Sequence, residues 1–143
     1  NMYDEINLSE KDGFLIIGAR TGAEHFIEHE PHNNVLLTTD DGSIGILGTV
    51  IPAIEKSLEK TTNPAIFACG PEQMLKAVQE FAAVHAMPAQ LSVESYMGCG
   101  IGICQGCVVE RVKGSVTKHS YHEKYSLVCI DGPVYQSEEV IIG

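Results

Sequence analysis

The 143-residue chain lacks several features that assign a protein to a broad class. No apolar run approaches the roughly 18 residues that a membrane-spanning helix needs. The first residues, Asn1-Met-Tyr-Asp-Glu5, lack the apolar core of a signal peptide, so we expect a cytoplasmic protein without a membrane span. Positive charge is scarce, because nine Lys and Arg face 19 Asp and Glu, for a net charge of −10. This balance argues against nucleic acid or an anionic membrane as a partner.

A glycine-rich phosphate loop is also missing from the start of the chain. Short apolar runs predict buried strands at Phe14–Gly18, Val35–Thr39, Ala65–Cys69 and Gln90–Glu94. Helices are predicted between them, and this alternation is typical of an α/β domain with a parallel sheet. A dinucleotide-binding domain of that class should open on a strand followed by G-x-G-x-x-G. Either no dinucleotide binds here, or the opening strand and loop lie upstream of this chain.

Two apolar stripes predict the helices of this first region. One has the spacing of a single helix face and includes Leu47, Val50, Ile51, Ile54 and Leu58. The second opens near Pro71 and buries Met74, Leu75, Val78, Phe81 and Ala82. Ala23–Ile27 predicts one or two further helical turns.

After Glu94 the pattern changes to loops and short strands. Residues 95–107 are predicted to form a loop, and strands are predicted at Val108–Lys113 and Ser126–Cys129. A turn near Lys113-Gly114-Ser115 joins them, Asp131-Gly-Pro133 forms another turn, and Val140–Ile142 is a last apolar segment. We therefore predict a domain boundary between residues 94 and 95.

Four of the five cysteines have a spacing that indicates metal binding. Cys99, Cys104 and Cys107 form C-x4-C-x2-C, and Cys129 follows at a distance. This is the thiolate spacing of a plant-type 2Fe–2S cluster. Glycines at 100, 102 and 106 would let backbone N–H groups approach the sulfurs closely. A structural zinc site with four thiolates is the alternative, although such sites usually combine two C-x2-C pairs.

Several motifs together resemble a known family. Cys69-Gly-Pro-Glu-Gln-Met74 is similar to the CGPxxM segment of the ferredoxin reductase superfamily. The segment after the third strand of that superfamily is similar to Thr39–Ser43 followed by Gly48–Val50. Two further motifs resemble the cluster domain of one branch of this superfamily. They are Glu94-x-x-Met97 with the cysteine loop, and Cys129-x-Asp-Gly-Pro-Val134. That branch contains the electron-transfer subunits of NAD-dependent dihydroorotate dehydrogenase type B.

The resemblance implies a fold and a set of cofactors. Residues 1–94 would be a partial, ferredoxin-reductase-type NAD-binding parallel sheet lacking its first strand and glycine loop. Residues 95–143 would be a small, mostly β domain that binds a 2Fe–2S cluster. Family members begin with a flavin-binding β-barrel, so this chain would be a C-terminal part that binds FAD poorly and is inactive alone.

The resemblance also implies a function and a partner. Electrons would pass between a flavin/NAD site and a catalytic dihydroorotate dehydrogenase subunit through the cluster, in a heterotetramer that serves pyrimidine biosynthesis. An accessory subunit of a hydrogenase or of an NADH-dependent ferredoxin:NADP reductase is an alternative. A zinc-stabilised interaction module without a redox role is a further alternative.

The resemblance carries cofactor contacts to seven more residues. Cys69, Gly70, Pro71 and Met74 would lie near the nicotinamide, at the carboxyl end of a strand and the start of a helix. Asp40 and Asp41 could accept hydrogen bonds from a ribose, and Arg20 could contact a phosphate or adenine. These assignments have alternatives. Cys69 could be a small buried hydrophobic residue, the two aspartates could belong to a solvated turn, and Arg20 could be an ordinary surface residue.

The six histidines show no metal-binding spacing. They are His25, His29, His32, His85, His119 and His122. We expect them to be surface residues.

Overall fold

The computed structural model describes residues 13–114 and 124–143. The chain divides into two compact units, one ending at Pro64 and one running from Ala65 to Gly143. None of the helices in the described ranges is both long and apolar enough to cross a membrane. Residues 1–12, His119, His122 and part of the turn predicted near Ser115 lie outside the described residues.

The first unit is a small parallel sheet with one helix. Its strands are β1 (Leu15–Ala19), β2 (Val35–Thr39) and β3 (Ile46–Leu47), in the order β1-β2-β3. Both neighbouring pairs are parallel, and β1 runs in register with β2 along its whole length. Helix α1 (Ile51–Leu58) follows, and its buried face includes Ala53 and Ile54. Leu36 and Leu37 of β2 are the largest apolar side chains buried in this unit.

Two histidines of the first unit hydrogen-bond to the backbone of β2. The Leu37 N–H donates to His29 Nδ1 at 2.9 Å, and His25 Nε2 lies 3.0 Å from the Thr38 carbonyl oxygen. Both side chains are partly buried, so the expectation that they are surface residues was wrong. His32 and His85 are exposed, as expected.

The second unit combines two sheets. Strands β4 (Ile66–Cys69) and β5 (Ala89–Ser92) are parallel and are joined by helix α2 (Glu72–Val84). Further along the chain come β6 (Val108–Arg111), β7 (Tyr125–Leu127), the one-turn helix α3 (Val128–Asp131), β8 (Val134–Gln136) and β9 (Val140–Ile141). Strand β8 pairs with β5 in antiparallel fashion, and β6 lies between β7 and β9.

Helix α2 packs its apolar face on the sheets and binds the end of the chain. Leu75, Val78 and Ala82 are buried on that face. The Gln79 amide nitrogen donates to the Ser137 and Val140 carbonyl oxygens at 2.6 and 2.8 Å, and its oxygen accepts from the Ile142 N–H at 3.4 Å. One side chain therefore fixes the residues on both sides of β9.

The α/β class with a parallel sheet and a small β-rich part is confirmed, with local corrections. Leu47 is not on a helix; it ends β3 and is exposed. Ala23–Ile27 contains only a 3₁₀ turn at Gly22–Glu24. Strand β4 is not buried, because Phe67 is 77% exposed. Strand β8 and helix α3 were not predicted at all.

The compact units also differ from the predicted domains. The division falls at Pro64, because β5 and α2 pack with the strands that follow the cysteine loop. A functional boundary between residues 94 and 95 remains a prediction.

Candidate functional site

The cysteine loop connects the residues after β5 to β6 through unusual backbone conformations. Gly100 and Gly102 have φ values of +69° and +81°, and Gln105 has +56°. Positive φ lets the chain reverse direction within a few residues, at little cost for glycine and some strain for Gln105. As a result, successive N–H groups point inward to the sulfurs.

Cys99 receives the largest share of these N–H groups. The N–H groups of Cys104 and Ile101 lie 3.4 and 3.5 Å from its Sγ. They stabilise the thiolate, and with smaller help from the Cys104 side chain they lower the pKa of Cys99 to about 6. Cys104 in turn accepts from the Gly106 N–H at 3.5 Å.

The four cysteines form two pairs of side chains. Cys99 interacts with Cys104, and Cys129 interacts with Cys107. The Cys107 side chain, followed by burial, raises the pKa of Cys129, which also interacts with the Gly102 N–H and with Cys99. Within 13–114 and 124–143, no three His, Cys, Asp or Glu side chains converge closely enough to hold a single metal ion.

The donor set and its backbone fit a 2Fe–2S cluster. Such a cluster takes two cysteine thiolates on each of its two irons, and the loop supplies two pairs. Each N–H group near a sulfur could also hydrogen-bond a ligated sulfur, which is one control on reduction potential. Gly102 is buried, and a Cβ on it would lie 2.9 Å from Ile130 Cδ1, so the backbone here approaches Cys129 only without a side chain.

The pKa shifts predict which of two thiols in the metal-free chain, Cys99 or Cys129, reacts faster. We expect iodoacetamide to label Cys99 faster than Cys129 at pH 7, because thiolate is the nucleophile and only Cys99 is mostly ionised there. The Cys99 rate should fall as the pH drops through about 6. Peptide mapping after timed labelling measures both rates. Equal rates at pH 7, or a Cys99 rate that falls only below pH 8–9, would contradict the assignment.

A chain of three hydrogen-bonded polar side chains, two of them buried, lies beside the second cysteine pair. Ser126 Oγ donates to Asp131 Oδ2 at 2.9 Å, and the Leu127 N–H donates to the same oxygen at 2.9 Å. Ser126 Oγ also lies 3.1 Å from Tyr135 Oη. Because serine has one hydroxyl hydrogen, which Asp131 accepts, Tyr135 must be the donor to Ser126. Burial raises the pKa of Tyr135, which keeps its proton available.

Sequence reasoning did not find this chain of hydrogen bonds. Asp131 was interpreted as part of a turn and of the Cys129-x-Asp-Gly-Pro-Val134 motif, with no role for its side chain, and Ser126 and Tyr135 were assigned no role. The three residues belong to different elements, and no local spacing relates them.

The predicted nicotinamide residues lie at the end of β4 and the start of α2. Cys69 is exposed, so its alternative role as a buried hydrophobe is not what the structure shows. Gly70 has φ +157°, and a Cβ there would lie 2.6 Å from Met74 Cε. Pro71 directly precedes α2.

Two of these residues, Gly70 and Pro71, border a cavity of about 680 Å³ within the second unit. Gly70, Pro71 and Glu72 form one wall, and the segment from Val93 to Tyr96, which leads to the cysteine loop, forms another. The remaining wall comes from β6 and from the chain after β9. Three glutamates line it: Glu72, Glu94 and Glu110.

The predicted ribose and phosphate contacts lie in the first unit. Asp40 and Asp41 are exposed just after β2. Asp41 accepts from the Ser43 hydroxyl and, at 3.0 Å, from the Ser43 N–H, and these bonds lower its pKa. Arg20 forms an exposed ion pair with Glu24 at 2.9 Å. Both groups have intramolecular partners, but exposed interactions of this kind are weak and exchange readily.

The cysteine loop exposes large apolar side chains around the first cysteine pair. We call Tyr96, Met97, Ile101 and Ile103 the loop rim. They are 96%, 52%, 66% and 76% exposed. Large apolar groups concentrated on one short segment are typical of a surface that another protein covers.

Comparison with known proteins extends the similarity beyond the loop. Residues 94–141 match the family described as the iron–sulfur cluster binding domain of dihydroorotate dehydrogenase B. The chain is 39% identical over 129 residues to the "Dihydroorotate dehydrogenase B (NAD(+)), electron transfer subunit" of Geobacillus thermodenitrificans, covering 89% of this chain and 46% of that protein. A probable subunit of the same name from Methanopyrus kandleri is 39% identical over 108 residues, covering 76% and 36%.

A solved structure agrees with the sequence relatives on the type of protein. The structure of the NADH-dependent reduced ferredoxin-NADP oxidoreductase, described in connection with flavin-based electron bifurcation, aligns with a TM-score of 0.69. It is 27% identical and is matched over 94% of this chain and 47% of its own. The chain thus spans less than half the length of the relatives compared here. Residues 94–141 are thus similar to the iron–sulfur cluster binding domain of dihydroorotate dehydrogenase B, and the chain is similar along most of its length to electron transfer subunits of that enzyme.

Proposed function

We propose that this chain is the cluster-bearing part of an electron-transfer subunit. In that role it passes electrons between a flavin/NAD site and a catalytic dihydroorotate dehydrogenase subunit, in pyrimidine biosynthesis. The proposed cluster ligands are Cys99, Cys104, Cys107 and Cys129. A bound 2Fe–2S cluster supplies one-electron transfer, which the side chains of the protein do not provide themselves.

The observation that carries this proposal is the arrangement of the four cysteines. Backbone N–H groups donate to the sulfurs of Cys99 and Cys104, and the four cysteines interact as two pairs. A loop with this many inward N–H groups favours anionic sulfur, both in free thiolates and in a cluster. The protein's contribution is to hold the thiolates and to stabilise their charge.

The loop rim is the proposed contact surface for the catalytic subunit. Its apolar side chains are close to Cys99 and Cys104 in the sequence, and these two cysteines are themselves exposed. A partner that covers the rim would exclude water from this side of the loop. We propose that the complete assembly is a heterotetramer with two copies of each subunit.

The nucleotide contacts are also proposals. Cys69, Gly70, Pro71 and Met74 would lie against the nicotinamide, where the cavity of the second unit begins. Asp40 and Asp41 would accept hydrogen bonds from the ribose. Arg20 would leave its ion pair with Glu24 and bind a phosphate of the nucleotide. FAD would be held mainly by parts of the longer protein that this chain does not include.

A second function is supported by one observation. The structural neighbour is an NADH-dependent reduced ferredoxin-NADP oxidoreductase, which shares the fold over 94% of this chain. An accessory electron-transfer role for such a reductase, or for a hydrogenase, would use the same loop. Only the identity of the co-purifying catalytic subunit separates the two functions.

Anaerobic purification followed by spectroscopy tests the proposal. We expect a coloured protein with two irons and two inorganic sulfides per chain. After reduction, its electron paramagnetic resonance spectrum should show one rhombic 2Fe–2S signal. A colourless protein that holds stoichiometric zinc would overturn the redox function and would favour a zinc-stabilised interaction module.

A further inference from the structure

We propose that Asp131 positions Cys129 and keeps the reduction potential of the bound cluster low, through hydrogen bonds that extend to Ser126 and Tyr135. This inference rests on the proposed cluster function, because it concerns the ligand loop of the same site. It assigns roles to three residues that lie outside the cysteine motif.

The first argument concerns the turn that carries Cys129. Helix α3 has only one turn, too few residues for a stable helix in isolation. The Leu127 N–H donates to Asp131 Oδ2. This hydrogen bond connects Asp131, the last residue of α3, to Leu127, the N-cap residue of the same helix. Cys129 lies between these two ends. The position of its sulfur therefore depends on the bond that Asp131 makes.

The second argument concerns the anchoring of Asp131 itself. The Ser126 hydroxyl donates to the same carboxylate oxygen, and Tyr135 donates to Ser126. Ser126 is on β7 and Tyr135 is on β8, and both side chains are buried. Side chains from two strands thus anchor one carboxylate. Each hydroxyl in this series of hydrogen bonds donates toward Asp131, from Tyr135 to Ser126 and from Ser126 to Asp131.

The third argument concerns charge. Asp131 and Tyr135 interact electrostatically, and Tyr135 also interacts with Cys107 and Cys129. Asp131 also lies on the same one-turn helix as Cys129, which places its carboxylate near the second cysteine pair. Reduction adds an electron to a site that already holds four thiolates, so a nearby negative charge disfavours reduction. Removing that charge should raise the potential.

The geometry allows charge and position to be tested separately. Both described hydrogen bonds to Asp131 end on one oxygen, which the amide oxygen of Asp131→Asn can supply. Asp131→Ala removes the oxygen as well as the charge. Tyr135→Phe removes only the far end of the chain. Glu138→Gln is the matched control, because Glu138 is an exposed carboxylate in the same unit.

The experiment uses the complete chain, reconstituted anaerobically, and measures the midpoint potential and the rate of cluster loss to a chelator. We expect Asp131→Asn to retain the cluster with a raised potential. Asp131→Ala should lose it about 10- to 100-fold faster than the wild type, the usual cost of losing a group that orients a ligand. Tyr135→Phe should show a smaller acceleration, and Glu138→Gln should change neither quantity.

Specific results would overturn this inference. An Asp131→Asn potential equal to that of the wild type, or a shift no larger than that of Glu138→Gln, overturns the role of charge. Wild-type cluster retention in Asp131→Ala overturns the positioning role; if that variant does not fold, retention in Tyr135→Phe decides it. A wild-type chain that binds no cluster overturns the proposed function instead, which keeps the two failures distinguishable.

Discussion

Replacing Cys104 with alanine is expected to abolish cluster binding while leaving the fold intact. Cys104 is exposed and contributes to neither sheet, so its removal should cost little stability. Its loss leaves Cys99 without a paired thiolate, and three cysteines cannot complete a four-thiolate site. Iron and sulfide content and the reduced electron paramagnetic resonance spectrum measure the loss, and circular dichroism checks the fold.

The chain contains a matched control for this substitution. Cys69 is also an exposed cysteine of the second unit, but it lies at the end of β4. Cys69→Ala should therefore retain a full complement of iron and an unchanged spectrum. Full cluster content in Cys104→Ala, or equal loss in both variants, would contradict the proposed ligand set.

Replacing Gly45 with alanine is expected to destabilise the first unit strongly. Gly45 has φ +73°, and a Cβ there would collide with the carbonyl group of Leu37 in the middle of β2. A left-handed conformation costs a non-glycine residue about 1–2 kcal/mol, and overpacking adds about 1–3 kcal/mol. The carbonyl group of Leu37 belongs to the backbone and cannot rotate away as a side chain can. We therefore expect the free energy of unfolding to fall by about 2–5 kcal/mol.

Gly42→Ala separates the two contributions. Gly42 has a similar φ of +69°, but a Cβ on it would meet only Leu47 Cδ1 at 3.0 Å, the end of an exposed side chain. It should therefore cost only about 1–2 kcal/mol. Amide hydrogen exchange of β2 measures both variants within this unit. Equal costs would show that the β2 backbone moves to accommodate the Gly45→Ala methyl group.

The sequence predicted elements well where the pattern was local. Val35–Thr39 was predicted with the bounds that β2 has, because five apolar and β-branched residues follow a turn. The second helix was predicted to open at Pro71, and α2 begins one residue later. The cysteine spacing likewise predicted four cluster ligands, and this assignment remains a prediction.

The remaining features depended on contacts between distant residues. Leu47 has helical spacing from Ile51 and Ile54, but its backbone pairs with β2, which places it in the two-residue strand β3. Strand β8 exists because Tyr135 and its neighbours pair with β5, more than 40 residues earlier. The bonds among Ser126, Asp131 and Tyr135 have the same origin. No periodicity could indicate them, because tertiary structure alone brings these residues together.

The three hydrogen bonds of Gln79 have a consequence for how the second unit comes apart. They join a helix that follows the predicted nicotinamide contacts to the residues on both sides of β9. Strand β9 is in turn bonded to β6, which begins directly after Cys107. Local opening at the end of the chain must break this side chain's bonds before it can free β6. Helix α2 and the strands beside the cysteine loop therefore open as one cooperative group rather than in separate steps.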